Sequence, residues 1–350
     1  MSHPDKVKSV VMTGPGKVEL QEFPWPKHLE PGALIAKVEM AGICGTDKHA
    51  FDGDTTLYGG TESEQDMVYP HVPGHENSAI VVEMNGKGSD IEYMGKDLQI
   101  GDRVAMSWSL HSQYINLKRK NVYKLPDNVS FRDAALLHIG TFPLAAIRKC
   151  RLVIGEAAIV MGQGIRGLTA VKLLKAAGAV PVIAVDPVAE KREKALVHGA
   201  DFAFDPTAPD FAAQVKAISG GGAKVGIEGT GIGAGLDGIL DCMAPFGRVA
   251  LLGCTRDKEF TIDYYRKVHG PGITLIGAHT AARPKEESHG GWWTQKDDVQ
   301  ALIKLHEFGR LRLGELVEEI HSPAEAPEVY NRLAREKSFP VVQFDWEALK

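Results

Sequence analysis

The chain is poor in cysteine. Cys44, Cys150, Cys242 and Cys254 are the four in 350 residues. They lie far apart and form no Cys-x-x-Cys pair, which excludes a disulfide framework and a structural zinc knuckle. Any cysteine with a chemical role must act with partners of other types. Long apolar runs are missing too, so no segment reads as a membrane-spanning helix. The N-terminal "MSHPDKVKSVVMTG" has no continuous apolar core of the secretory kind. The compartment expected from this is the cytoplasm. Runs of positive charge are absent: the formal net charge is -5, and "LKRK" at 117–120 is too short to read as more than a solvated turn. A nucleic-acid surface is thereby excluded.

What remains is ordinary globular material, 44% hydrophobic and 24% charged. A chain of this length suggests two domains and can bury a large core without staples. The first part reads as β-rich. "SVVMTG", "ALIAKVEMAG", "SAIVVEMN" and "DRVAMS" are short runs with Val and Ile between Gly, Pro and Asp turns. That pattern suits a compact antiparallel barrel or sandwich. "SFRDAALLHIGTFPLAAIRKC", from Ser130 to Cys150, reads as one helix with Ser130 as N-cap. From Glu156 to about Thr280, strand-like and helix-like segments alternate, which indicates βαβ units around a parallel sheet. The expected organisation is α/β: a parallel-sheet domain at 150–285, inserted into a β-rich domain formed by 1–149 and 286–350.

"VMGQGIRGL" places Gly162, Gly164 and Gly167 in G-x-G-x-x-G spacing. Alone the motif is weak. Here it follows a strand, opens a helix, and Asp186 ends the next strand, which makes it a dinucleotide-binding fingerprint. Gly162 permits the tight turn, Gly164 lets a pyrophosphate approach the backbone, and Gly167 lets helix and strand pack closely. The helix N-terminus offers free N–H groups to phosphate. A carboxylate at Asp186 accepts ribose hydroxyls and repels a 2′-phosphate, which favours NAD over NADP. Lys191 and Arg192 lie where they could flank the ribose or simply form a solvated helix face. "GTGIGAG" at Gly229–Gly235 also stands between strand and helix. It lacks the acidic residue downstream and reads as a flexible loop on the same sheet edge.

A second chemistry gathers around Cys44. "GICGTDKHAF" brings cysteine, threonine, aspartate and histidine within six residues; "PHVPGHENSAI" adds His71, His75 and Glu76, and His138 sits in the apolar "AALLHIGTF". A catalytic zinc takes three protein ligands of Cys, His or carboxylate type and leaves a position open. Cys44, His75 and His138 would supply that set, although their wide separation means that spacing alone could not establish it.

"GICGTDKH", "PGHE" and "GQGIRG" followed by Asp186, in this order over essentially the whole chain, resemble the zinc-dependent medium-chain dehydrogenases, the family of alcohol, sorbitol, threonine and glucose dehydrogenases. The resemblance implies a GroES-like β-rich catalytic domain with a Rossmann domain. It implies one catalytic zinc with Cys44 and His75 as ligands, Glu76 at or near the metal, and His138 in the place of a third ligand that is usually cysteine or glutamate. Asp47 matches an aspartate that hydrogen-bonds the zinc-bound histidine. Thr46 and His49 match a proton relay from the substrate hydroxyl, through a cofactor ribose hydroxyl, to solvent. Family members also form dimers or tetramers, so a homo-oligomer is expected.

The departures narrow the function. Alcohol dehydrogenases of the family carry a structural zinc on four cysteines after "GDRV", and here the Asp102–Asp127 stretch has none. That absence resembles the polyol and sugar dehydrogenases. The expected reaction is oxidation of a secondary hydroxyl on a polyol, sugar or cyclitol to the ketone, with hydride passed to NAD. The alternatives are a zinc-free quinone or enone reductase of the same superfamily, against which Cys44 and His75 argue, and a non-catalytic NAD-binding protein. The polar stretch between Cys44 and His75 is longer than in many relatives and could shape the substrate entrance. "HGGWW" at 289–293 could line a pocket or pack against the core.

Overall fold

The computed structural model describes residues 3–26, 29–54, 68–86, 97–118, 121–254, 259–336 and 338–349. Within the polar stretch between Cys44 and His75, residues 55–67 lie outside the described residues. Strand β1 (Lys6–Gly14) pairs antiparallel with β2 (Lys17–Pro24), and the turn uses Gly16 at φ 69°, in the left-handed region open to glycine. Strand β3 (Ala33–Gly42) is buried along nearly its whole length. It runs into helix α1 (Gly45–Asp52), which stops at Gly53 in the left-handed conformation. Then follow β4 (Glu76–Met84), β5 (Arg103–Ser107), β6 (Tyr114–Lys118), β7 (Val122–Lys124) and the short helix α2 (Phe131–Ala134). β3 pairs antiparallel with β4 and β6, β4 with β5, and β5 with β7.

The second unit begins inside helix α3 (Leu137–Lys149). It alternates β8 (Ala158–Met161), α4 (Ile165–Ala176), β9 (Val182–Val185), α5 (Ala189–Val197), β10 (Phe202–Phe204), α6 (Phe211–Ile218), β11 (Ala223–Glu228), α7 (Gly233–Asp241), β12 (Met243–Leu251) and β13 (Thr274–Gly277). These strands form a parallel sheet in the order β10-β9-β8-β11-β12-β13. β8, β9 and most of β11 are buried, as expected for a parallel sheet covered on both faces. The chain winds outward from β8 to β10, then returns and winds the other way from β11. Ligands lodge at such a switch point, beyond the carboxyl ends of the strands. After helix α8 (Gln295–Glu307), the first unit is completed by β14 (Glu319–His321), helix α9 (Ala326–Leu333) and β15 (Val342–Asp345), with β14 parallel to β15 and β15 antiparallel to β3.

Each unit has its own apolar core. One gathers Leu34, Val38, Val81, Val104, Tyr330 and Phe344; the other gathers Ile159, Ile183, Val215, Ile239 and Val249. The helix expected from Ser130 to Cys150 is two helices: the Ser130 hydroxyl caps α2, and α3 starts afresh at Leu137. The chain leaves the first unit between His138 and Ile139 and returns between Asp298 and Val299, where the sequence pattern placed the limits at 150 and 285. The reason is packing. The end of α3 is tied to the second unit: Lys149 Nζ donates to Gly277 O at 3.1 Å, and the Cys150 thiol lies 3.8 Å from Arg248 O. Among the described residues, no helix is long and apolar enough to cross a membrane.

Candidate active site

Two features of the first unit carry chemistry into one place. β3 ends at Gly42 and delivers Cys44 as the residue that caps α1; β4 begins at Glu76 and delivers His75 and Glu76 together. One ligand atom from each of Cys44, His75 and Glu76 lies within 4.8 Å of the other two. His75 Nε2 faces Glu76 Oε1 at 3.4 Å, and among the described residues no donor meets this buried oxygen with hydrogen-bond geometry. Burial pushes His75 down, yet Cys44, Glu76 and Asp47 outweigh it and hold the ring well above the ordinary histidine range. The cluster stabilises positive charge. A soft thiolate, an imidazole and a carboxylate with a spare oxygen form a donor set that fits zinc.

His138, in the first turn of α3, stands beside this group rather than in it. It is buried, and its ring meets that of His75 edge-on, with centroids 5.6 Å apart. Trp108 completes the wall. It sits at φ 56°, is half exposed, and lies 4.9 Å from the His138 ring, while its N–H donates to His75 O. Its indole was not anticipated from sequence. A large aromatic in a strained conformation next to a ligand loop is a signal only three-dimensional structure supplies.

Asp47 takes a different part from the expected one. Its carboxylate stands 3.8 Å from His75 Nδ1, beyond hydrogen-bond reach. Its oxygens instead accept from Cys44 N–H and Gly74 N–H, both at 2.9 Å. The aspartate thus ties the loops that carry Cys44 and His75 to each other through their backbones, without touching those side chains. The Thr46 hydroxyl lies 4.0 Å from Cys44 Sγ. His49 is partly exposed and meets Asp54 at 3.2 Å. His71 pairs through its backbone with Met12 and lies apart from the cluster of ligand atoms.

In the second unit the glycine-rich turn links β8 to α4. Gly162 has φ 89°, and a Cβ on Gly167 would meet Gly162 O at 1.9 Å, which no side chain can relieve. Gly164 caps α4 and faces open space, as approach of a phosphate requires. Asp186 is buried, and both its oxygens are engaged: one accepts from Gln163 N–H at 2.8 Å and the other from Val188 N–H at 2.9 Å. Arg192 donates to Asp186 O and Pro187 O and meets Asp205, so its charge is spent on holding this turn. Lys191, partly exposed beside it on α5, takes no part in that frame among the described residues. The "GTGIGAG" loop is held rather than loose. The Glu228 carboxylate accepts from Thr230 N–H at 2.8 Å and Gly231 N–H at 3.1 Å, and the loop lies against Gly162. The two tryptophans of "HGGWW" are packing residues: Arg148 lies 3.4 Å over the Trp293 ring and Lys149 4.5 Å over Trp292.

Comparison with known proteins agrees with both units. The alcohol dehydrogenase GroES-like domain family matches residues 30–142, and the zinc-binding dehydrogenase family matches residues 167–290. The chain is 29% identical to the (R,R)-butanediol dehydrogenase of Bacillus subtilis (strain 168) over 244 residues, 61% of this chain and 68% of that protein. It is 28% identical to the sorbitol dehydrogenase of Ovis aries over 278 residues, 70% of this chain and 74% of the relative. The crystal structure of the 2R,3R-butanediol dehydrogenase from Bacillus subtilis superposes with a TM-score of 0.79 at 24% identity, covering 97% of this chain and 99% of that one. The chain belongs to the zinc-type medium-chain alcohol and polyol dehydrogenases and is an oxidoreductase of that family.

Proposed function

We propose that the protein oxidises a secondary hydroxyl of a polyol, sugar or cyclitol to the ketone and passes the hydride to NAD. The observation that carries this reading is the Cys44, His75 and Glu76 cluster, found in a chain whose other unit presents the glycine-rich turn and Asp186. The names of the relatives, a butanediol and a sorbitol dehydrogenase, support a vicinal diol or polyol as the substrate class.

Cys44, His75 and Glu76 would hold the zinc, with His138 as a further ligand. When bound, zinc supplies Lewis-acid polarisation of a hydroxyl oxygen, and NAD supplies the hydride acceptor. The chain's own residues then have separate tasks. Asp47 keeps the Cys44 and His75 loops at fixed separation. The Thr46 hydroxyl, beside Cys44 Sγ, takes the proton released from the substrate and hands it on. His49, partly exposed and oriented by Asp54, delivers it to solvent. Asp186 accepts the adenosine ribose hydroxyls on lone pairs its two backbone donors leave over, and Gly162, Gly164 and Gly167 admit the pyrophosphate. Lys191 flanks the ribose. Homo-oligomerisation, which rests on family resemblance, and a cytoplasmic location belong to the same proposal.

The test is a panel of diols, polyols, sugars and cyclitols offered with NAD and with NADP, followed by NADH or NADPH absorbance. Turnover of polyols with NAD supports the reading; activity only toward enones or quinones without zinc would replace it.

A further inference from the structure

His111 lies in the stretch where relatives with a structural zinc carry their cysteines. It is fully buried, and every polar group it has is engaged. Its N–H donates to Pro73 O at 2.7 Å, and its carbonyl accepts from Val10 N–H at 2.9 Å. Nε2 lies 3.0 Å from Gly42 O and Nδ1 3.4 Å from the Tyr330 hydroxyl. A carbonyl can only accept, so Nε2 carries the proton and Nδ1 receives the Tyr330 hydroxyl.

The two segments it grips are the ones that end in metal ligands. Gly42 stands two residues before Cys44, and Pro73 stands two before His75. The His75 loop is fitted closely to the ring, and the Cys44 strand end to Glu76. A Cβ on Gly74 would meet His111 Cδ2 at 2.3 Å, and a Cβ on Gly42 would meet Glu76 Oε2 at 2.8 Å. Asp47 bridges the same two loops through Cys44 N–H and Gly74 N–H, and His111 bridges them through Gly42 O and Pro73 O. The two braces act on different backbone atoms, so neither replaces the other.

We propose that His111 is a positioning residue for the metal site, holding the Cys44 strand end and the His75 loop at the separation zinc requires through the Nε2–H bond to Gly42 O. It rests on the reading of Cys44, His75 and Glu76 as zinc ligands, and its test keeps the two claims apart. His111→Gln places an amide donor where Nε2 stood; His111→Asn places its amide near Nδ1 and leaves Gly42 O without its donor. Zinc affinity is measured on the full chain by competition with a chromophoric chelator. Amide hydrogen exchange across 42–47 and 74–76 is measured on the metal-free chain. The glutamine variant should hold zinc within about threefold of the wild type, and the asparagine variant should bind it about tenfold or more weakly, the range found for residues that orient metal ligands. Exchange in both segments should quicken in the asparagine variant alone. Equal behaviour of the two variants, whether both intact or both weakened, overturns the assignment to the Gly42 bond. If the wild type binds no zinc, the ligand reading fails, and the exchange contrast still decides the role of His111.

Discussion

At the residue scale, side chains that looked like ligands and side chains that looked like supports changed places in instructive ways. Residue type alone offered Cys44, His75 and His138 as a ligand set and resemblance added Glu76, whereas the structure gathers Cys44, from the end of β3, with His75 and Glu76, from the start of β4. His138 stands beside that cluster, with its ring edge-on to His75, which makes it the residue to test. His138→Ala should lower zinc content or affinity about tenfold or more while the melting curve stays cooperative. Full zinc content by mass spectrometry would leave the other three as the protein's whole ligand set. The task of Asp47 could not be read from sequence, because its partners are backbone N–H groups that no pattern of residue types reveals. Asp186 presents the same difficulty. Its replacement by glycine should reduce kcat/KM for NAD more than for NADP. The stability should fall as well, by about 1–3 kcal/mol, because Gln163 N–H and Val188 N–H lose their acceptor. An unchanged cofactor ratio in steady-state assays would remove Asp186 from ribose recognition.

At the element scale, long periodic segments were read well and short or joined ones were not. The alternation from β8 to β12 was visible because strands of Val, Ile and Ala alternate with helices stopped by glycine. The break between α2 and α3 was hidden, since Ala135 and Leu136 are good helix formers and only tertiary packing interrupts them. That junction has its own lock. Asp133 in α2 accepts from Ser130 Oγ and Gly314 N–H and faces the buried His306 ring of α8 at 3.5 Å. Burial pushes the Asp133 carboxyl up, but the His306 ring, the Ser130 hydroxyl and the Gly314 N–H outweigh it and hold it down at about 2. The folded value lies below the unfolded one, so the stabilisation is full above about pH 5 and fades as pH falls through about 4 toward 2. Asp133→Asn should cost on the order of 2 kcal/mol at neutral pH, and the gap to the wild type should close across that acid window. Urea unfolding at a series of pH values measures it, and a gap independent of pH would show that the charge of Asp133 contributes nothing.

At the scale of the whole molecule, the two-unit organisation and its insertion were legible from the change of rhythm, and the limits were not, because α3 and α8 carry the chain across without a linker. Each unit has its own core, which predicts how metal removal behaves. Chelation should abolish turnover and leave a cooperatively folded protein with a somewhat lower melting temperature, and the metal-free form should still bind NAD. Thermal melts, metal analysis and NAD titration check this together. Two tightly held zinc ions per chain, or unfolding on chelation, would assign the metal a structural share. The double engagement of Asp186 has a consequence for descent. In a lineage drifting toward a phosphorylated cofactor, loss of this carboxylate would also release the two turns it binds. New acceptors for Gln163 and Val188 would have to arise beforehand, so the change of cofactor is closed to a single mutational step and open only along a path that first rebuilds the turn.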